Sequence, residues 1–165
     1  MDYTAVVITV SDLGSQGKRI DTSGPAVCKM IEDAGFHVIH TAIIPDEQAE
    51  IQKMLIYCAD ELHANLILTT GGTGPSRRDV TPEATLAVAT RELPGFGEIR
   101  AIPVAMWVES LKITPRAMLS RAVAGTRGKS LIINLPGSEK GAKQNLSAII
   151  GALEHAMHMI VAEGH

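Results

Sequence analysis

The sequence predicts an α/β fold, a three-layer αβα sandwich around a mixed, mostly parallel sheet. Three observations predict it. Short β-branched runs alternate with longer stretches whose apolar residues recur at helical spacing, the mark of strand–helix–strand units. A glycine-rich loop joins one apolar run, Leu66-Ile67-Leu68, to a helix entry at Thr81-Pro82. Near the end, two strand-like runs are separated only by Gly125-Thr126-Arg127-Gly128, and strands joined so briefly must be antiparallel. With 165 residues and no repeats or linkers, a single domain spanning 1–165 accounts for the chain.

The first run, residues 4–10, is rich in Val, Ile and Thr and reads as a central strand. It ends in a polar loop beginning Ser11-Asp12, which continues through residues 18–21. Thr22 or Ser23 can cap the next helix, with Pro25 in its first turn. Val27, Met30, Ile31 and Ala34 share a face of that helix, and Gly35 stops it. Residues 36–44 form the second strand and end at Pro45-Asp46-Glu47. Asp46 stands where a helix N-cap belongs, ahead of the stripe Ile51, Met54, Leu55, Cys58 and Leu62. The third strand and its loop lead to a helix over roughly 82–91. An irregular Pro- and Gly-rich stretch follows at 93–98, then a helix over 102–111 and a short one from Thr114-Pro115 to Met118. Strands at 122–124 and 130–134 come next, and the last helix carries the stripe Leu146, Ile149, Ile150, Leu153, Met157 and Ile160.

Composition narrows the function. Apolar residues make up 45% and charged residues 20%, a globular balance. The net charge of −3 leaves no basic footprint for nucleic acid or membrane, and 3% aromatics leave no platform for stacking bases. Cys28 and Cys58 fall in helical patterns without metal or CxxC spacing, which fits buried thiols in a reducing compartment. No signal peptide and no run long enough to span a bilayer is expected. The expected location is the cytoplasm.

Residues 65–85 carry the chemistry. Gly71, Gly72 and Gly74 lack Cβ atoms, so their backbone can approach a phosphate and turn N–H groups toward it. Thr70 and Thr73 add hydroxyls, Arg77 and Arg78 add cationic forks, and the following helix start favours anions. The loop is neither a Gly-x-x-x-x-Gly-Lys P-loop nor a Gly-x-Gly-x-x-Gly dinucleotide turn, so a Rossmann oxidoreductase is not supported. Asp79 is out of place beside phosphate unless it holds a cation, activates a group or caps the helix. Asp46, at another strand end, falls on the same rim of a parallel sheet. If their strands are neighbours, the two acids point to a divalent-metal or phosphoryl-transfer site.

Taken together, Val10-Ser11-Asp12, Ile44-Pro45-Asp46-Glu47, Thr70-Gly71-Gly72-Thr73-Gly74, Arg78-Asp79-Val80-Thr81-Pro82-Glu83-Ala84-Thr85, Pro94-Gly95-Phe96-Gly97-Glu98, Leu119-Ser120-Arg121 and Asn134-Leu135-Pro136-Gly137-Ser138 resemble the molybdopterin adenylyltransferase family. That family takes in the MogA/MoaB-like proteins and the G domains of gephyrin and its plant counterpart. The resemblance runs over nearly the whole chain. It implies a molybdopterin-binding fold that transfers AMP from ATP, with Mg²⁺, to the terminal phosphate of molybdopterin. It also implies a homotrimer, in some members a hexamer, and a molybdate-inserting enzyme as a further partner. The family's essential acids match Asp46 and Asp79, expected to be catalytic and to hold the metal. Substrate and nucleotide contacts are expected from Ser11, Asp12, Thr70, Gly71, Gly72, Thr73, Gly74, Arg78, Ser120, Arg121, Pro136, Gly137 and Ser138. Glu139 departs from the family, standing where a second proline is common. A binding module without transferase activity is the alternative, and two acids facing phosphate argue against it.

Overall fold

A computed structural model describes residues 3–90 and 101–162. In chain order the elements are β1 (Thr4–Val10), α1 (Asp12–Ser15), α2 (Ser23–Asp33), β2 (His37–Ile44), α3 (Gln48–Ile56) running into a π-helical turn (Tyr57–Glu61), β3 (Leu66–Thr70), α4 (Thr81–Val88), α5 (Ala101–Leu111), a 3₁₀ turn (Pro115–Leu119), β4 (Ala124–Arg127), β5 (Ser130–Leu135) and α6 (Glu139–Ala162). The strands lie in the order β2-β1-β3-β5-β4. All neighbours are parallel except β4 and β5. This is the mixed, mostly parallel sheet that the sequence predicts.

Alternation along the strands builds the two cores. Ala5 and Val7 of β1, Leu66 and Leu68 of β3 and Leu131 and Ile133 of β5 point to one face. There they meet Val27 and Ile31 of α2, Met106 of α5, and Leu146, Leu153 and Met157 of α6. Val6, Ile8, Ile67 and Ile132 point to the other face, against Ile51 and Leu55 of α3 and Ala84 and Val88 of α4. Helices therefore cover both faces. Fully burying one such Leu or Ile contributes about 1.5–3 kcal/mol, and nearly all of β1, β3 and β5 is buried. Edge strand β2 is different: Ile39 and Ile43 stay half-exposed.

Several boundaries differ from the sequence reading. β4 takes in Gly125, Thr126 and Arg127, leaving Gly128 (φ +54°) and Lys129 as the turn. The tight hairpin needs two linking residues, and glycine occupies the one with positive φ. α4 ends at Val88, short of the expected 91. Neither Thr22 nor Ser23 caps α2 with its side chain; the Asp21 carboxylate does so, accepting from the Gly24 N–H at 3.0 Å. Among the described residues one helix, α6, is long and apolar enough to cross a membrane, contrary to expectation. Its apolar positions form a stripe, buried from Ala142 to Ile160 against the sheet and neighbouring helices. The 93–98 stretch lies outside the described residues.

One polar residue pins the layers together. Asn134 lies within the apolar β5, and its Nδ2 donates to Thr69 Oγ1 (3.0 Å) on β3 and Thr85 Oγ1 (2.9 Å) on α4. Its Oδ1 accepts from the Val123 N–H at 3.2 Å. Asn134→Ala leaves these buried groups unpaired, at about 1–3 kcal/mol for each one stranded. We expect a loss of about 2–4 kcal/mol, readable as a lower urea midpoint with unchanged m-value.

Candidate active site

Because β1, β2, β3 and β5 run parallel, their C-terminal ends share one rim, and the loops leaving them meet there. The glycine loop is the centre of this rim. Gly71 adopts φ +93°, and its N–H donates to Leu135 O at 3.1 Å. A Cβ on Gly71 would stand 2.3 Å from Val10 O, and one on Gly137 would stand 3.2 Å from the Gly71 α-carbon. Bare backbone is therefore required where β1, β3 and β5 release their loops.

An open cleft of about 570 Å³ lies over this rim. Of the residues singled out from sequence, Ser11, Asp46, Thr70, Gly71, Gly72, Asp79, Gly137 and Ser138 line it. Asp46 and Asp79 thus face one space although β1 separates β2 from β3, so their strands are not the neighbours the two-acid reading required. They flank the glycine loop from its two ends. Asp46 Oδ1 lies 3.2 Å from the point where a Cβ on Gly72 would sit, and Asp79 Oδ2 lies 2.9 Å from the equivalent point on Gly74.

Neither acid caps a helix. Glu47 occupies the N-cap of α3, while Asp46 Oδ2 accepts from the Asp12 N–H at 2.9 Å. Asp12 Oδ1 in turn accepts from the Asp46 N–H at 3.0 Å, so the two loops hold each other. Val80 precedes α4, which has no side-chain cap; Asp79 Oδ2 instead accepts from Ser76 N–H at 3.1 Å within its own loop. Burial pushes the Asp46 carboxyl above the ordinary aspartate range, and the nearby Asp12 and Asp79 charges add to the rise.

Asp12, Arg78 and Arg121 do not line the cleft and instead brace its loops. Arg78 forks onto Asp12 (Nη2 to Oδ1, 2.9 Å) and reaches Glu47 Oε1 at 2.9 Å. Hydrogen bonding to Arg78 holds Asp12 below the usual carboxylate range against the opposing effect of burial. Arg121 clamps the glycine loop: its backbone N–H donates to Thr73 O (2.8 Å), Nε to Gly74 O (2.8 Å) and Nη2 to Asp79 O (2.6 Å), and Nη1 pairs with Glu83. Ser120 Oγ accepts from the Ala122 N–H at 3.3 Å, and Ser120, Thr73, Gly74 and Pro136 are not among the residues that line the cleft. Ser11 and Ser138 accept from the backbone N–H three residues on, capping α1 and α6.

A family model described as "Probable molybdopterin binding domain" matches residues 6–155. The chain belongs to this molybdopterin-binding family. The molybdopterin adenylyltransferase of Helicobacter pylori is 43% identical over 157 residues, covering 94% of this chain and 86% of its own. That of Escherichia coli is 46% identical over 147 residues, covering 87% and 71%. The crystal structure of the molybdopterin biosynthesis enzyme MoaB from Thermus thermophilus matches with a TM-score of 0.87 at 42% identity, covering 98% of each chain.

Within the cleft, sequence reasoning missed Thr9, Arg19, Asp21 and Ser23. Thr9 donates to Asp21 Oδ2 at 2.6 Å, and Ser23 donates to Gly137 O at 2.6 Å. Thr9 reads as an ordinary strand residue. Its place one step before the strand end was the available signal.

The Asp12–Arg78 pair sets an acid response. A carboxyl depressed in the fold stabilises above its unfolded pKa and loses that contribution as pH falls below about 4. Asp46 has the opposite sign: with its pKa raised, ionisation weighs against the fold, and the loss is recovered as pH drops through that pKa. Arg78→Met should therefore flatten the fall in Tm between about pH 5 and pH 3 relative to wild type, followed by circular dichroism.

Proposed function

We propose that the protein is a molybdopterin adenylyltransferase, which carries AMP from ATP to the terminal phosphate of molybdopterin and releases pyrophosphate. The observation that carries this reading is the convergence of Asp46 and Asp79 on one cleft across a glycine loop built to receive phosphate. Relatives bearing that name at 43% and 46% identity support it.

Charge decides what must accompany the substrates. Among the described residues the cleft lining holds Asp21, Asp46, Asp79 and Glu139 against the single cation Arg19. Two polyanions cannot be brought together there without added positive charge. Among the described residues no three His, Cys, Asp or Glu side chains gather into a metal cluster. Two carboxylates facing incoming phosphates suit Mg²⁺, which is commonly held by one or two carboxylates plus substrate oxygens. Asp46 and Asp79 would hold it, and when bound it neutralises phosphate charge. The glycine loop presents N–H groups to phosphate, and Arg121 keeps that loop in shape. An oxygen of the pterin phosphate attacks the α-phosphorus of ATP, and the bond to the β-phosphate oxygen breaks as pyrophosphate leaves. No side-chain nucleophile is needed, and the buried Cys58, its thiol pushed up to about 11, supplies none.

A homotrimer, or a hexamer in the family's manner, fits the apolar residues left exposed on α5 and after it: Val104, Val108, Met118 and Leu119. Two free cysteines suit a reducing cytoplasm. A molybdate-inserting enzyme would receive the product. Multi-angle light scattering at micromolar concentration should give about three or six times the chain mass; a monomer would refute the assembly.

The decisive test is incubation of the protein with molybdopterin and Mg-ATP, followed by detection of adenylylated pterin. Asp46→Asn and Asp79→Asn should each lower turnover on the order of 10²–10³-fold, the usual cost of one preorganised electrostatic contact. Both variants should still bind molybdopterin. Asp46→Asn should be no less stable at neutral pH, because it removes a carboxylate whose ionisation burial disfavours. Near-normal turnover by either variant would remove that acid from the reaction.

A further inference from the structure

Arg19 and Ile20 line the cleft from a short arch between α1 and α2. Both feet of the arch are pinned. At the α1 end Gly17 turns at φ +69°, and its N–H donates to Gly14 O at 3.0 Å. The Lys18 N–H donates to Leu13 O at 2.9 Å, which completes a Schellman closure. At the α2 end the Asp21 carboxylate accepts from Thr9 Oγ1 at 2.6 Å and from the Gly24 N–H at 3.0 Å. Arg19 and Ile20 lie between these anchors, and both are exposed, Ile20 to 87%. Residues that line a cleft and stay this exposed stand at its open side. Lys18, one step earlier, is exposed but does not line the cleft. The Arg19 side chain is also uncommitted. Among the described residues its guanidinium makes no hydrogen bond or ion pair, while Arg78 and Arg121 are tied to carboxylates and loop carbonyls.

We propose that Arg19 binds the pyrophosphate end of ATP and stabilises it as the leaving group. The inference rests on the reading of the protein as an AMP transferase. When the bond between the α-phosphorus and the bridging oxygen breaks, its electron pair departs on that oxygen with pyrophosphate. Asp21, Asp46, Asp79 and Glu139 in the lining all oppose this gathering charge. A guanidinium answers it, because it forks onto two phosphate oxygens and keeps its proton throughout. Position separates the two phosphate-bearing substrates. The pterin phosphate has to reach the α-phosphorus beside the acids and the glycine loop, whereas pyrophosphate has to depart to solvent. The exposed arch suits the departing group, and a side chain pinned only through its backbone can turn with it.

Isothermal titration of the full chain with Mg-pyrophosphate, AMP and molybdopterin tests this in wild type, Arg19→Met, Arg19→Lys and Lys18→Met. Arg19→Met should weaken pyrophosphate binding roughly 10–100-fold, the scale of losing a charge-assisted hydrogen bond, and leave AMP and molybdopterin binding within about twofold. Arg19→Lys keeps the charge and loses the fork, so its affinity should fall between. Lys18→Met removes the same charge one residue away and should bind pyrophosphate as wild type does. All three variants should keep the wild-type Tm, so that the loss is read on folded protein. Wild-type pyrophosphate affinity in Arg19→Met, or an equal loss in Lys18→Met, overturns the inference. So does an equal loss of AMP or molybdopterin binding in Arg19→Met, which puts the guanidinium on a different phosphate. AMP transfer assayed in parallel keeps the two readings apart: transfer by wild type with Arg19-independent pyrophosphate binding sinks only the contact, and Arg19-dependent pyrophosphate binding without transfer sinks only the reaction.

Discussion

Everything at the rim depends on a close approach of backbone to backbone. β1, β3 and β5 lie side by side, so the loops leaving them compete for the same small volume. Gly71 is pressed against Val10 O on one side and Gly137 on the other. Any side chain at Gly71 would push the loops apart and unseat the Gly71 N–H from Leu135 O. Because that contact holds, Gly71 and Gly72 can line the cleft. The acids on either side are then fixed by backbone hydrogen bonds and not by long flexible contacts.

Charge is distributed in the same economical way. Two arginines that a sequence reading assigns to phosphate are engaged with protein groups: Arg121 with three loop carbonyls and Glu83 through its backbone and side chain, Arg78 with Asp12 and Glu47. The cost of gathering carboxylates is carried by Asp46, whose raised pKa records both its burial and its like-charged neighbours. Preorganisation of this kind weighs on the stability of the free protein.

Much of this was legible in the chain. Apolar and β-branched runs placed β1, β2 and β3 within a residue or two; for β1 and β3, burial on the sheet leaves little else those residues can do. The brief Gly-rich link between the last two runs implied the antiparallel β4–β5 pair. The strand order was not legible: β5 inserts between β3 and β4, a choice made by packing of Asn134 and the apolar faces and not by any local pattern. For the same reason the side-chain partners of Asp46 and Asp79 stayed hidden. Both stand where helix caps belong, and only the tertiary contact with Asp12 and the local bond to Ser76 show that they serve elsewhere. Thr9 and Asp21 escaped notice because a strand threonine and a loop aspartate are individually unremarkable.

The strand order also sets a timetable. β3 pairs with β1 on one side and with β5 on the other, and β5 lies about 65 residues further along the chain. On a ribosome adding ~5–20 residues per second, β3 waits roughly 3–13 s with one edge open. That edge belongs to Leu66, Ile67 and Leu68, all fully buried in the finished sheet. Gly137 and Ser138 follow β5, so the rim of the cleft closes only as the last strand docks. Until then the nascent chain carries its two acids and its glycine loop without a pocket between them, and its most adhesive strand is exposed to chaperones and to neighbouring chains.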